Sequence, residues 1–233
     1  QGGIGALSRA FANALKEPPL YGVRITGIDL KQKRVSLSNG KVVRFEKLVN
    51  TMPLVQLVAM LNDAPDEVRT AAKNLRATTV YYFDIGVRGE GGPASHYHWV
   101  YFPEPEFIFY RAGSYSAVHK EAAPAGCRSY YVEMSGELEG LLSQPEKLKQ
   151  RVLVDLKKAG ILTAQDEILF MELCEIPHAY VIFDQHYEES RNLIFDYLKQ
   201  NDVLTGGRWG GWGYGGMEDA MLDGQKIAGE IMR

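Results

Sequence analysis

Apolar positions along the chain change period several times, and each change marks an element. Ile4, Leu7, Ala10, Phe11 and Ala14 recur at helical spacing almost from the first residue, until Pro18 and Pro19 forbid continuation. From Gly22 to Asn50 the pattern becomes alternating, and Asn39-Gly40 between two such runs signals a hairpin. This stretch predicts a three-stranded antiparallel ribbon, followed by an apolar strand at 48–51 that ends at Met52-Pro53. Two helices are predicted at 54–61 and 65–74. Residues 78–134 predict a β meander, because "TTVYYFDIGV", "YHWVYFP", "FIFYR" and "RSYYVEMS" are rich in aromatic and β-branched residues with Pro and Gly between them.

A charged helix at 144–159 carries Leu148, Val152 and Leu156 on one face. Two strands, "EILFMELCEI" and "AYVIFD", precede a helix at 187–200. The last unit is a short strand at 202–205, a glycine loop, and a helix from Gly216 onward. Met217, Ala220, Met221, Gly224, Ile227, Ala228 and Ile231 share one face of that helix, which predicts that it packs on the sheet. Ala220, Gly224 and Ala228 form a ridge of small residues that permits close approach of a neighbour. The fold class is α+β: a large mixed, mostly antiparallel sheet flanked by helices.

Composition narrows the function classes. Hydrophobic residues at 45% and charged ones at 24% of 233 residues are ordinary for a globular chain able to bury a sizeable core. A net charge of -3 gives no reason to expect nucleic acid as a partner. No apolar run reaches the roughly 18 residues of a membrane-spanning helix. Cys127 and Cys174 stand far apart and outside any CxxC spacing, which fits reduced thiols and a cytoplasmic location. His96 and His98 alternate on one strand without a third ligand at recognisable spacing, so no metal is expected. Ser114, Ser116 and His119 form no recognisable nucleophile arrangement.

The densest chemical signal is "GGRWGGWGYGGMEDAMLDGQKIAGEI", Gly206 to Ile231, in which seven of the first eleven residues are glycine. A strand, a glycine turn and a helix start together present free N–H groups and a positive dipole end to an anion or a carbonyl oxygen. Glycines also let a flat cofactor or a diphosphate lie against the backbone.

This segment resembles the C-terminal flavin-binding segment of the flavin-containing amine oxidase and protoporphyrinogen oxidase superfamily. "GRWGGWGY" is especially similar to the UDP-galactopyranose mutase branch. "GGIGALSRAFANAL" is similar to the family's Gly-Gly loop and helix, and "ITGIDLKQKRVSLSNGKVVRFEKLVNTMPLVQLVAML" resembles its hairpin and return strand. "HWVYFPEPEFIFYR" and "EIPHAYVIFD" look like its substrate-domain strands. The family's strand-GxGxxG-helix fingerprint is not matched: "GGIGALS" ends in Ser8 and has no strand before it. The chain also opens without Met. The resemblance therefore implies the C-terminal part of such an enzyme, with the N-terminal Rossmann unit absent. It divides the chain into 1–76 (remnant of the FAD domain), 77–200 (substrate domain) and 201–233 (flavin-contacting strand, loop and helix).

Carried onto this sequence, the resemblance assigns Gly207 and Arg208 to the turn beside the flavin or diphosphate. Gly216, Met217 and Glu218 become the helix start that meets the ribityl chain and pyrimidine carbonyl. Ile25 would lend backbone atoms to adenine, and Thr51 and Pro53 would end the strand that passes the cofactor. Arg111 and Tyr180 are the candidates for substrate contact; the alternative for each is a structural role. The implied cofactor is FAD, the partner a small molecule, and the chemistry hydride transfer to flavin in the whole enzyme, with this chain inactive alone. Two other readings stand beside it: a mutase-like flavoprotein acting on a nucleotide sugar, and a non-catalytic binding domain without cofactor.

Overall fold

A computed structural model of the chain describes residues 3–136 and 138–232. Gly2 of the opening Gly-Gly pair lies outside the described residues, as do Gln1 and Arg233 at the two outer domain bounds. Helix α1 (Gly5–Ala14) precedes strands β1 (Ile25–Asp29), β2 (Arg34–Leu37), β3 (Val42–Arg44) and β4 (Leu48–Asn50). Helices α2 (Leu54–Met60) and α3 (Asp66–Asn74) follow. Next come β5 (Arg76–Arg88), β6 (Trp99–Tyr101), β7 (Arg111–Ser114), α4 (Tyr115–Val118) and β8 (Cys127–Ser135). The remainder is α5 (Pro145–Lys158), β9 (Glu167–Ile182), α6 (Tyr187–Gln200), β10 (Val203–Thr205), α7 (Gly207–Gly210) and α8 (Met217–Ile231).

Two compact units share these elements. One is formed by the residues up to Lys16 together with Thr79–Pro177; the other by Glu17–Thr78 together with the chain from His178 onward. In the first unit the sheet order is β6-β7-β8-β5-β9. Neighbours from β6 to β5 are antiparallel, with Phe83 opposite Val132 and Ala112 opposite the same valine on its other side. Alternation decides the two faces. Phe83, Ile85, Val87, Tyr130, Val132 and Met134 point into a core with Leu148, Val152 and Leu156 of α5.

The second unit holds the predicted antiparallel ribbon β1-β2-β3. Its Asn39-Gly40 turn closes with the Gly40 N–H on the Leu37 carbonyl, 3.0 Å. Strand β4 lies parallel to β10, pairing Leu48 with Val203 and Asn50 with Thr205. Leu54, Leu57 and Val58 of α2, Val68 of α3 and Ile194 and Leu198 of α6 form its core with Val203 and Trp212.

Three predicted elements differ. Residues 107–110 are not strand, and Arg111 begins β7 rather than ending a strand. Phe102, Phe107 and Phe109 fold onto one another with centroids 4.9–5.8 Å apart. The Ile108 N–H donates to the Asp155 carboxylate at 2.8 Å rather than to a strand neighbour. The two strands predicted around Pro177 are one, β9, bent at His178, whose φ is +58°. Within the glycine loop, residues 207–210 form a helical turn.

Candidate functional site

Strand β10 delivers the chain to the glycine loop, and the Gly206 N–H continues the ladder by donating to the Asn50 carbonyl, 3.1 Å. Gly207 then turns with φ +71°, a conformation that favours glycine, and its N–H donates to the Asp223 carboxylate of α8 at 2.9 Å. Gly210 passes so close to β4 that a methyl group there would lie 2.4 Å from the Asn50 carbonyl oxygen. The loop is therefore pressed onto backbone at one point and reversed at another. Glycine is required at both.

The chain re-enters a helix at Gly216, the residue before α8, whose N–H donates to the Asp219 carboxylate at 2.7 Å. This is the returning half of a capping box, and Glu218 and Asp219 in the first turn suit the positive helix end. The expected packing of the helix on a sheet is not found: no described residue of α8 is buried. Its small-residue ridge instead lines a groove of about 740 Å³. Val49, Gly207, Arg208, Met217, Gly224 and Ile227 are among the lining residues. At Gly207 and Gly224, both of which line the groove, an added Cβ would meet no protein atom within 4 Å. The physical reason for the difference lies in the ridge. Small residues admit close approach, and here they leave a channel along the helix.

Among the described residues, Arg208 is the one charged residue lining this groove. Its guanidinium carbon lies 4.9 Å from the centroid of the Tyr180 ring and 5.1 Å from that of Tyr214. The two rings are stacked 6.0 Å apart. One Nη of Arg208 donates to the Ala179 carbonyl, and the Trp209 indole N–H donates to the His178 carbonyl at 3.0 Å. The bend at His178 thus turns two consecutive carbonyls toward the loop. Among the described residues no carboxylate stands within ion-pairing distance of Arg208. Its charge, held by rings and a neutral carbonyl, remains available to an anionic ligand. Burial lowers the affinity of His178 for protons.

Of the residues singled out from the sequence, Thr51, Gly207, Arg208, Gly216 and Met217 meet at this groove. Tyr180 joins through the Arg208 stack. Glu218 stands exposed in the first turn of α8, Pro53 precedes α2, and Ile25 begins β1, half-buried against the core. None of these three lines the groove.

Arg111 belongs to the other unit, where its guanidinium pairs with Glu133 and donates to the Tyr101 hydroxyl at 3.0 Å. The Tyr110 hydroxyl donates to the same carboxylate, 2.7 Å. The charge of Arg111 is thereby met within the protein. The same sheet face bears a concavity of about 910 Å³ with Tyr82, Asp84, Trp99, Tyr131 and Glu133 in its lining. Over it, burial and a hydrogen bond to Asp84 raise the pKa of Tyr115.

Sequence reasoning passed over Trp209, Tyr214 and Val49, which complete the groove or its stack. The alternation of aromatics with glycine in "RWGGWGY" was the available signal. It does not say which ring faces a ligand: Trp212 is fully buried, while Tyr214 is exposed.

Comparison with known proteins bears on the fold. The fold superposes on a crystal structure of reduced UDP-galactopyranose mutase with a TM-score of 0.88 at 23% identity, covering 100% of this chain and 51% of that one. A putative protoporphyrinogen oxidase from Exiguobacterium sp. 255-15 gives 0.72 at 13% identity, covering 97% and 50%. A triple mutant of putrescine oxidase gives 0.70 at 12%, covering 99% and 53%. The chain thus spans about half the length of these structures. The model of the family described as flavin containing amine oxidoreductase matches residues 1–232. The chain belongs to the flavin-containing amine oxidoreductase family.

Proposed function

We propose that this chain supplies the flavin-contacting and substrate-facing portion of an FAD-dependent oxidoreductase. The observation that carries this reading is the groove of bare backbone and small residues running from Arg208 along α8. Its chemistry fits the cofactor. Apolar walls at Val49, Met217 and Ile227 suit a flat ring system, and the open Cα faces at Gly207 and Gly224 admit it close to the backbone. Arg208 offers a cation to a diphosphate or to an anionic ring edge. Bound flavin supplies hydride acceptance, and the protein supplies orientation and exclusion of water. The N–H groups of the first turn of α8 lack carbonyl partners within the helix and stand ready for acceptor atoms.

A second reading, a mutase-like flavoprotein acting on a nucleotide sugar, is favoured by one feature. Arg208, packed against both rings of the Tyr180–Tyr214 pair and unpaired with any described carboxylate, suits a diphosphate beside the cofactor.

Titration of FAD into the purified protein, followed by flavin fluorescence and absorbance, tests both. Saturable binding followed by anaerobic bleaching with an amine supports the oxidoreductase. Tight binding of UDP to the FAD-loaded protein, without displacement of FAD, supports the mutase. If neither this chain nor a longer polypeptide carrying it retains FAD, both readings fail and a non-catalytic binding domain is left.

A further inference from the structure

Loops rich in glycine do not hold a shape by themselves, because each glycine adds backbone freedom that must be removed. Midway along this loop, restraint is added from one face of α6. The Tyr187 hydroxyl donates to the Trp212 carbonyl and the Arg191 Nε–H donates to the Gly211 carbonyl, each at 2.7 Å. The two donors are four residues apart, one helical turn, so they reach two consecutive carbonyls from a single rigid element. Arg191 is itself held, with its guanidinium carbon 4.2 Å from the Phe195 ring centroid one turn further on. Tyr187 is held edge-on against Phe183, with centroids 4.7 Å apart.

The clamped carbonyls sit midway along the loop. Before them lies Arg208, whose own carbonyl accepts from the Gly213 N–H at 3.0 Å. After them come Tyr214, which completes the arginine stack, and Gly216 at the start of α8. Trp212 takes φ +45° with its indole fully buried, so the chain is both unusual in conformation and anchored at the clamped point. The arrangement leaves the loop little freedom between Arg208 and Tyr214.

We propose that Tyr187 and Arg191 are positioning residues for the groove: through the Gly211 and Trp212 carbonyls they fix Tyr214 against Arg208 and set where α8 begins. Neither residue lines the groove. The proposal rests on the flavin reading for its functional consequence, while the clamp itself does not.

The test compares Tyr187→Phe, Arg191→Met and Arg191→Lys with the wild-type protein. Tyr187→Phe keeps the ring contact and removes only the donor. Amide hydrogen exchange of residues 206–216 is expected to accelerate at least tenfold in Tyr187→Phe and Arg191→Met. Exchange in α3 and β2 should stay unchanged. Arg191→Lys, which keeps a donor, should recover part of the protection. FAD affinity should fall about tenfold in the two clamp-breaking variants and recover partly in Arg191→Lys. Unchanged loop exchange overturns the proposal. Acceleration spread evenly over the unit does so too, since it marks general loss of stability. FAD affinity that stays constant while loop exchange rises would overturn the positioning role. Should the wild-type protein take no FAD, the flavin reading falls and the exchange data alone decide the clamp.

Discussion

The guanidinium of Arg208 packs over the ring of Tyr180 at 4.9 Å, joining a residue of the glycine loop to one that lies 28 positions earlier in the chain. The pairing explains why Arg208 can stand without a carboxylate partner: the ring faces and the Ala179 carbonyl hold it in place. Arg111, by contrast, is matched with Glu133 and has its charge met inside its own sheet.

Replacing Arg208 should therefore weaken binding in the groove far more than it weakens the fold. For Arg208→Met we expect a loss in FAD affinity of roughly ten- to a hundredfold, the scale of a charge-assisted hydrogen bond of about 1.5–3 kcal/mol. Arg208→Lys should recover little, since an ammonium cannot reproduce the planar stack. Titration followed by flavin fluorescence measures both, and wild-type affinity in either variant would contradict the role given to Arg208.

Two glycines should respond in opposite senses. Gly210→Ala drives a methyl into the Asn50 carbonyl and should destabilise the protein by roughly 1–3 kcal/mol, because the atoms it meets are backbone and cannot swing aside. Gly224→Ala meets nothing, lies inside α8, and should stabilise by about 0.5–1 kcal/mol through helix propensity. It should nonetheless lower FAD affinity by narrowing the groove. Urea denaturation paired with FAD titration separates the two effects.

Acid should act through Asp166. Burial raises its pKa, but hydrogen bonds from the Thr163 N–H and hydroxyl and from the Gly91 N–H outweigh that and hold it below the ordinary 3.8. A carboxylate depressed in the folded state stabilises fully above the unfolded value and loses that contribution as pH falls through the folded one. Asp166→Asn should cost roughly 1–2 kcal/mol at neutral pH, the hydrogen-bond part with little added by screened charge. It should also flatten the stability profile below about pH 4. An unaltered acid limb would remove Asp166 from the account.

His178 works in the opposite chemical sense with the same pH direction. Burial lowers its pKa below the ordinary 6.5, so the unfolded chain binds a proton before the folded one does. Stability should fall as pH drops from 6.5 toward the folded value. His178→Asn, which tolerates the positive φ, should remove that slope in thermal melts between about pH 7.5 and 5.5. A slope that persists in the variant would assign it to another group.

Local elements were legible wherever short-range patterning decides them. Asn39-Gly40 marked its hairpin, and Leu148, Val152 and Leu156 marked the buried face of α5. Pro53, Pro65 and the 187–200 periodicity placed the ends of α2, α3 and α6 to within a residue, while α1 stops at Ala14, ahead of Pro18. The run "FIFYR" misled because aromatic residues with strand propensity can also close a cluster across a turn, and Asp155, distant in sequence, claims the Ile108 N–H. Pro177 read as a break, yet β9 continues through it by bending at His178.

The site divides in the same way. Glycine density, Arg208 and the helix start at Gly216 are written in consecutive residues, because a turn and a helix N-terminus are built from neighbours. Three facts are not written there: Tyr180 reaching the loop, the Arg111–Glu133 pair, and the small-residue ridge of α8 lining an open groove. Each depends on which strands lie side by side and where β9 bends, and those are set by burial of the whole unit. Consecutive residues carry most of the elements and the chemistry of the loop. Tertiary structure decided which charge stays free for a ligand, because only the packed chain determines which partners each arginine reaches.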